Sequence, residues 1–183
     1  GDFTFSPDGS KLYACFYTFG NSKINVYNSN NYSLISSYAI GASNPISITS
    51  SNDGTKLFVI NYTSSGPCSV QVFNSANGSL LNTIQTGQNS SRLALHSSGN
   101  KLYVSNKGEN TVSVINTVTN SVIQTINVNS SPYALSFNNS NTKLFVCNEG
   151  TNNVSVINTS TDAVSNTIAV GSGPRGYGNF IPV

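Results

Sequence analysis

The chain has no methionine, no tryptophan, one histidine and three cysteines among its 183 residues. An odd count (Cys15, Cys68, Cys147) does not make a disulfide framework, and no Cys-x-x-Cys or Cys/His spacing offers a metal site. These cysteines read as small buried residues. Charge is scarce as well: eight basic and six acidic side chains leave a net charge of +2. Without a basic cluster there is nothing to neutralise phosphates, which excludes nucleic acid as a partner and a polybasic membrane anchor as a device. No apolar run approaches the length of a membrane span, so no membrane insertion is expected. Gly1–Phe19 alternates apolar with polar residues and is not a secretion signal. No methionine opens the sequence, which reads as processed or as part of something longer.

What the chain has is Asn, Ser and Thr, and short runs of alternating apolar residues. The triplet Lys-Leu-aromatic occurs at Lys11-Leu12-Tyr13, Lys56-Leu57-Phe58, Lys101-Leu102-Tyr103 and Lys143-Leu144-Phe145, at spacings of 45, 45 and 42 residues. A period in the low forties containing only strand signals is that of a four-stranded propeller blade. Helical repeats of this length need a 3.6-residue apolar period, which is absent. The expected fold is all-β: a β-propeller of four-stranded antiparallel blades, with four complete blades at about 3–40, 46–86, 92–128 and 133–170.

Within each unit the inner strand is Phe3–Ser6, Ile46–Ser50, Arg92–His96 or Tyr133–Phe137, followed by a turn rich in Gly and Asn that tolerates positive φ. The second strand carries the triplet. The third is Lys23–Asn28, Ser69–Asn74, Thr111–Asn116 or Asn153–Asn158, and the fourth is Ser33–Ile40, Ser79–Thr86, Ser121–Val128 or Ala163–Val170. Pro45, Pro132 and Pro174 mark the return to the axis, and Ser91 takes that place in the second crossover.

Leu102-Tyr103-Val104-Ser105-Asn106, Thr111–Asn116, Val122–Val128 and Gly171-Ser172-Gly173-Pro174-Arg175-Gly176 resemble the YVTN family of β-propeller repeats, and Pro7-Asp8-Gly9 matches its first turn. The resemblance is strong in the last two units and weaker in the first two. It implies seven blades and an extracellular or cell-surface location.

After four units the chain has one further inner-strand sequence, Tyr177–Ile181, with no second strand to pair with. The chain is therefore expected to be the C-terminal part of a larger propeller, completed by missing blades or another protein chain. Apolar blade faces of this kind should not stand open to water.

No constellation compels catalysis. The single His96 enters a turn and has no second ligand or triad partner. Asp8 and Asp53 repeat one turn position, which is a turn preference before it is a carboxylate pair. The best candidate surface is the channel mouth, where Ile46, Arg92, Tyr133 and Arg175 follow the crossovers. Lys107, Glu109 and Glu149 stand on loops around the same face. Asn31, Asn61, Asn77, Asn89, Asn129, Asn138, Asn153 and Asn158 lie in Asn-x-Ser/Thr triplets, permitted glycosylation sites that chance supplies in this composition.

The sequence thus leads to a non-catalytic extracellular scaffold, structural or adhesive, with no cofactor. Its expected partners are completing blades, a cell-surface protein or a glycan. The alternatives are a propeller enzyme of lactonase or hydrolase type, which needs a charged cluster in the channel, and a polymer subunit joined through open blades.

Overall fold

The computed structural model describes residues 1–18, 20–41 and 44–176. These residues form sixteen strands and no helix. Four antiparallel meanders follow one another in chain order. The first is β1 (Asp2–Phe5), β2 (Lys11–Phe16), β3 (Lys23–Asn28) and β4 (Leu34–Ala39). The second is β5 (Pro45–Ser50), β6 (Lys56–Asn61), β7 (Pro67–Asn74) and β8 (Leu80–Gln88). The third is β9 (Ser90–Leu95), β10 (Lys101–Asn106), β11 (Thr111–Asn116) and β12 (Ser121–Asn127), and the fourth is β13 (Pro132–Phe137), β14 (Lys143–Asn148), β15 (Asn153–Asn158) and β16 (Ala163–Ala169). The inner strands stand side by side, β1 beside β5, β5 beside β9 and β9 beside β13. This is the all-β blade arrangement that the repeat predicts.

Local chemistry accounts for each blade. The turn between its first two strands carries positive φ at Gly9 (70°), Gly54 (71°), Gly99 (76°) and Asn141 (56°), the residue types that tolerate it. Each third-to-fourth strand pairing has a register shift at the same place, for example Val114/Ile115 and Val156/Ile157. A bulge there increases strand twist.

The core lies between blades, and the Lys-Leu-aromatic triplet is what joins them. Leu57, Leu102 and Leu144 are fully buried against the preceding blade, and Tyr13, Phe58 and Tyr103 against the following one. Burying each leucine contributes about 1.5–3 kcal/mol. The lysine ties the same boundary: Lys56 Nζ donates to the Thr117 carbonyl and Lys101 Nζ to the Thr159 carbonyl, both at 2.9 Å.

At the ends the same positions lack a neighbour among the described residues. Leu12 is only half-buried, and Phe3 and Phe5 are 62% and 50% exposed, edge to face. On the fourth blade Lys143 is exposed and Phe145 half-buried. The predicted extra strand Tyr177–Ile181 lies outside the described residues.

Pairing corrects the repeat alignment at one point. Asn61, Asn106 and Asn148 face Pro45, Ser90 and Pro132, so Ser90, not Ser91, takes the proline position. Arg92 therefore stands one residue further along its strand than Ile46 and Tyr133 do along theirs.

Candidate functional site

Each inner strand begins near the axis, and in the last three blades an asparagine at the end of the second strand fixes how it arrives. Asn106 is fully buried: its Oδ1 accepts from the Gly87 N–H (3.3 Å) and the Ser90 hydroxyl (2.9 Å), and its Nδ2 donates to Thr111 Oγ1 (3.0 Å) and Ser113 Oγ (2.8 Å). Asn61 accepts from the Asn44 N–H at 2.9 Å. Asn148, in the amide orientation that satisfies both of its ends, donates to the Asn129 carbonyl (3.3 Å) and accepts from Ser155 Oγ (2.8 Å). Irregular backbone at the crossover thus finds its partners in one asparagine in each of the second, third and fourth blades, while Phe16 holds that place in the first. The crossover is also tight. A Cβ on Gly87 would fall 2.7 Å from Asn106 Cβ, so only glycine fits.

This frame produces two cavities that share one residue. The first, of about 320 Å³, lies along the inner strands. Equivalent strand positions bring Asp2, Ser47, Arg92 and Ala134 to its wall, and Gly176 lies there as well. The second, of about 500 Å³, opens at the mouth and is lined by Ile46, Tyr62, Asn89, Arg92, Lys107 and Tyr133, among others. Arg92 lines both.

The mouth holds a charged cluster around one ring. The Arg92 guanidinium donates to the Tyr133 hydroxyl (3.1 Å) and to the Ser91 carbonyl (2.9 Å), with its carbon 4.9 Å from the Tyr133 ring centre. Arg175 and Lys107 approach the same ring at 5.8 and 5.9 Å. Such cation–ring contacts contribute about 0.5–1 kcal/mol each at exposed sites. Lys107 Nζ also pairs with Glu149 Oε2 at 2.9 Å, and Arg175 pairs with Glu149 Oε1. Lys107 and Glu149 occupy equivalent positions in adjacent blades, so opposite charges meet across the boundary. Arg175 and then Lys107 hold the Glu149 carboxyl down at about 2. Three cations against one carboxylate give the cluster a charge of +2, equal to that of the whole chain.

The structure thus brings Ile46, Arg92, Tyr133 and Lys107 to one cavity, and joins Arg175 and Glu149 to the Tyr133 cluster. It does not bring Glu109 into ion-pair contact with them among the described residues; that carboxylate lies over Gly87. Sequence reasoning missed Asp2 and Tyr62. Asp2 precedes the run read as the first inner strand, and only the pairing Asp2↔Cys15 puts it on the axial ring.

The other singled-out residues make local hydrogen bonds. His96 Nε2 faces the Asn141 carbonyl at 3.0 Å, so that nitrogen carries the proton, and Nδ1 meets Ser98 Oγ at 2.8 Å. Asp8 and Asp53 sit in matching cages: Asp8 accepts from Ser6 and Ser10, Asp53 from Ser51 and Thr55. The Ser6 and Ser10 bonds hold the Asp8 carboxyl at about 2. Asn31, Asn77 and Asn158 accept turn N–H groups at 2.9–3.0 Å, and Asn129 donates to Asn153. Asn89 accepts from the Tyr62 hydroxyl, and Asn138 from the Lys143 N–H. All three cysteines are buried and unpaired; burial pushes the Cys15 and Cys147 thiols up.

Residues 79–169 match the family model described as lactonase, 7-bladed beta-propeller. No curated protein matches the chain. Among solved structures, the hydrazine synthase of Kuenenia stuttgartiensis superposes with a TM-score of 0.79 at 20% identity, over 92% of this chain and 48% of that one. A functionally unknown protein from Desulfotomaculum acetoxidans gives 0.78 at 15% identity, over 94% and 57%. A Bacteroides uniformis protein described as a 6-phosphogluconolactonase gives 0.74 at 21%, over 94% and 55%. The chain spans about half the length of these structures.

The expectation of a non-catalytic scaffold is overturned by the lactonase match together with the lactonase-type neighbour. It rested on low charge, small hydroxyl and amide side chains and the lack of a plausible catalytic group, while the enzyme alternative needed a charged cluster in the channel. A charged cluster does form, at the mouth, from residues that stand far apart along the chain. The fold is a β-propeller, and over residues 79–169 the chain is similar to the seven-bladed lactonases.

Proposed function

We propose that this chain is part of a seven-bladed propeller hydrolase that opens lactone rings bearing an anionic group. One observation carries the reading beyond the family match: Arg92 joins an axial cavity to a mouth of net positive charge. Lactone opening develops negative charge on the carbonyl oxygen, and a fixed guanidinium in a narrow cavity stabilises it more than water does. Lys107, with the Tyr133 face beside it, is placed to hold a phosphate or carboxylate on the same substrate. A phosphorylated sugar lactone, named for the Bacteroides neighbour, has this chemistry.

The seven-bladed part of the proposal draws on the half-buried Leu12, the exposed Phe3 and Phe5, and the extent of the neighbours. Three further blades, in the same chain or another, would cover both end faces.

The test is hydrolysis of a panel of γ- and δ-lactones, with and without a phosphate or carboxylate, by the full-length protein. Anionic lactones are expected to be opened faster than neutral ones of the same ring. Arg92→Ala is expected to lower kcat about 10²–10³-fold. Hydrolysis of no lactone above the buffer rate would overturn the reading.

A further inference from the structure

We propose that Asp2 is the general base of this reaction, removing the proton of the attacking water in the axial cavity while Arg92 faces the oxygen that gains charge. The inference rests on the lactone-hydrolase reading above.

Position and elimination carry it. The axial ring is made of four equivalent strand positions, and only two of them are charged, Asp2 and Arg92. Asp2 is also the only carboxylate among the described residues lining either cavity. Glu149, the carboxylate of the mouth cluster, is committed to Lys107 and Arg175. The Asp2 carboxylate is held in place. Its Oδ2 accepts from Ser47 Oγ (2.9 Å) and the Ile48 N–H (3.3 Å), and its Oδ1 accepts from the Phe3 N–H (2.9 Å). A carboxylate has about four acceptor sites, so one remains for a water proton. Around it stand the Cys15 thiol of β2 and the Gly1 amino group, and Arg92 of β9 lines the same cavity.

The step balances without a further reagent. Water oxygen bonds to the lactone carbonyl carbon and its proton passes to Asp2 Oδ1. The carbonyl π pair moves to oxygen, facing Arg92. When that pair returns, the ring C–O bond breaks and the alkoxide takes the proton back from Asp2. Lactone and water become a hydroxy acid, and the carboxylate is regenerated.

The competing role is structural: the same hydrogen bonds staple β1 to β5. Asp2→Asn keeps a carbonyl oxygen for Ser47 and Ile48 but cannot take a proton, and Ser47→Ala weakens the staple while leaving the base. The experiment measures kcat and its pH profile in the full-length protein on the fastest lactone of the panel, for wild type, Asp2→Asn, Asp2→Ala and Ser47→Ala. The expected result for Asp2→Asn is a kcat loss of about 10²–10⁴-fold and disappearance of the acid limb. Ser47→Ala should retain that limb, and added formate should restore part of the rate to Asp2→Ala. An Asp2→Asn enzyme with wild-type rate and acid limb would overturn the base assignment and leave the lactone reading standing. A wild type that opens no lactone would overturn both.

Discussion

The Tyr103 hydroxyl donates a 2.6 Å hydrogen bond to Oδ1 of Asp162, across the boundary between the third and fourth blades. The other carboxylate oxygen takes Lys101 at 2.6 Å. Asp162 is buried, and Tyr103 fully so. Burial, and then the bond to Asp162, push the Tyr103 hydroxyl far above its ordinary range. Asp162→Ala would leave the buried hydroxyl without its acceptor and the half-buried ammonium with the Thr159 carbonyl but no counter-charge. A stability loss of about 2–4 kcal/mol is expected. Urea unfolding should show a lower midpoint at unchanged slope.

The preceding boundary lacks this bond. Phe58 stands where Tyr103 does, and Asn120 where Asp162 does; Asn120 Oδ1 is buried without a partner. The cavity there, about 350 Å³, is lined by Phe58 itself. Phe58→Tyr should supply the missing donor and stabilise the chain by about 1 kcal/mol. A double-mutant cycle with Asn120→Ala checks it: the gain should vanish when the acceptor is removed.

Tyr32 adopts φ 58° in the turn where the second, third and fourth blades place Gly78, Asn120 and Asp162. A bulky side chain in the left-handed region costs roughly 1–2 kcal/mol, and this one is 77% exposed, with little packing to offset it. Tyr32→Gly gives part of that back to unfolded-chain entropy. A net gain of about 0.5–1 kcal/mol is expected from thermal and urea unfolding.

The Glu149 pair should be visible as a pH dependence. The folded carboxyl is depressed from 4.5 to about 2, so the pairing with Arg175 and Lys107 contributes fully above pH 4.5 and is lost as pH falls through about 2. Glu149→Gln should therefore be less stable than wild type at neutral pH, with the gap closing between those values. High salt should narrow the gap as well, since the pair is at the surface. Stability curves at pH 6, 4 and 2.5 check both.

The four-blade plan was legible in the sequence because its causes are local. Alternation sets a strand, Gly or Asn sets a turn, and the triplet at 45, 45 and 42 residues sets the repeat. Three of the third strands, Lys23–Asn28, Thr111–Asn116 and Asn153–Asn158, begin and end where the pattern places them. The candidate site was legible only in part. Its cations stand on recognisable crossovers and loops, but the pairing register decides which of them meet. A one-residue offset puts Arg92 on the axial ring with Asp2 and sets it apart from the position shared by Ile46 and Tyr133. Along the chain the charges are thinly spread, and no stretch of sequence shows a cluster. Folding gathers them because every blade starts at the axis, so residues some forty positions apart become neighbours around one ring and one small cavity.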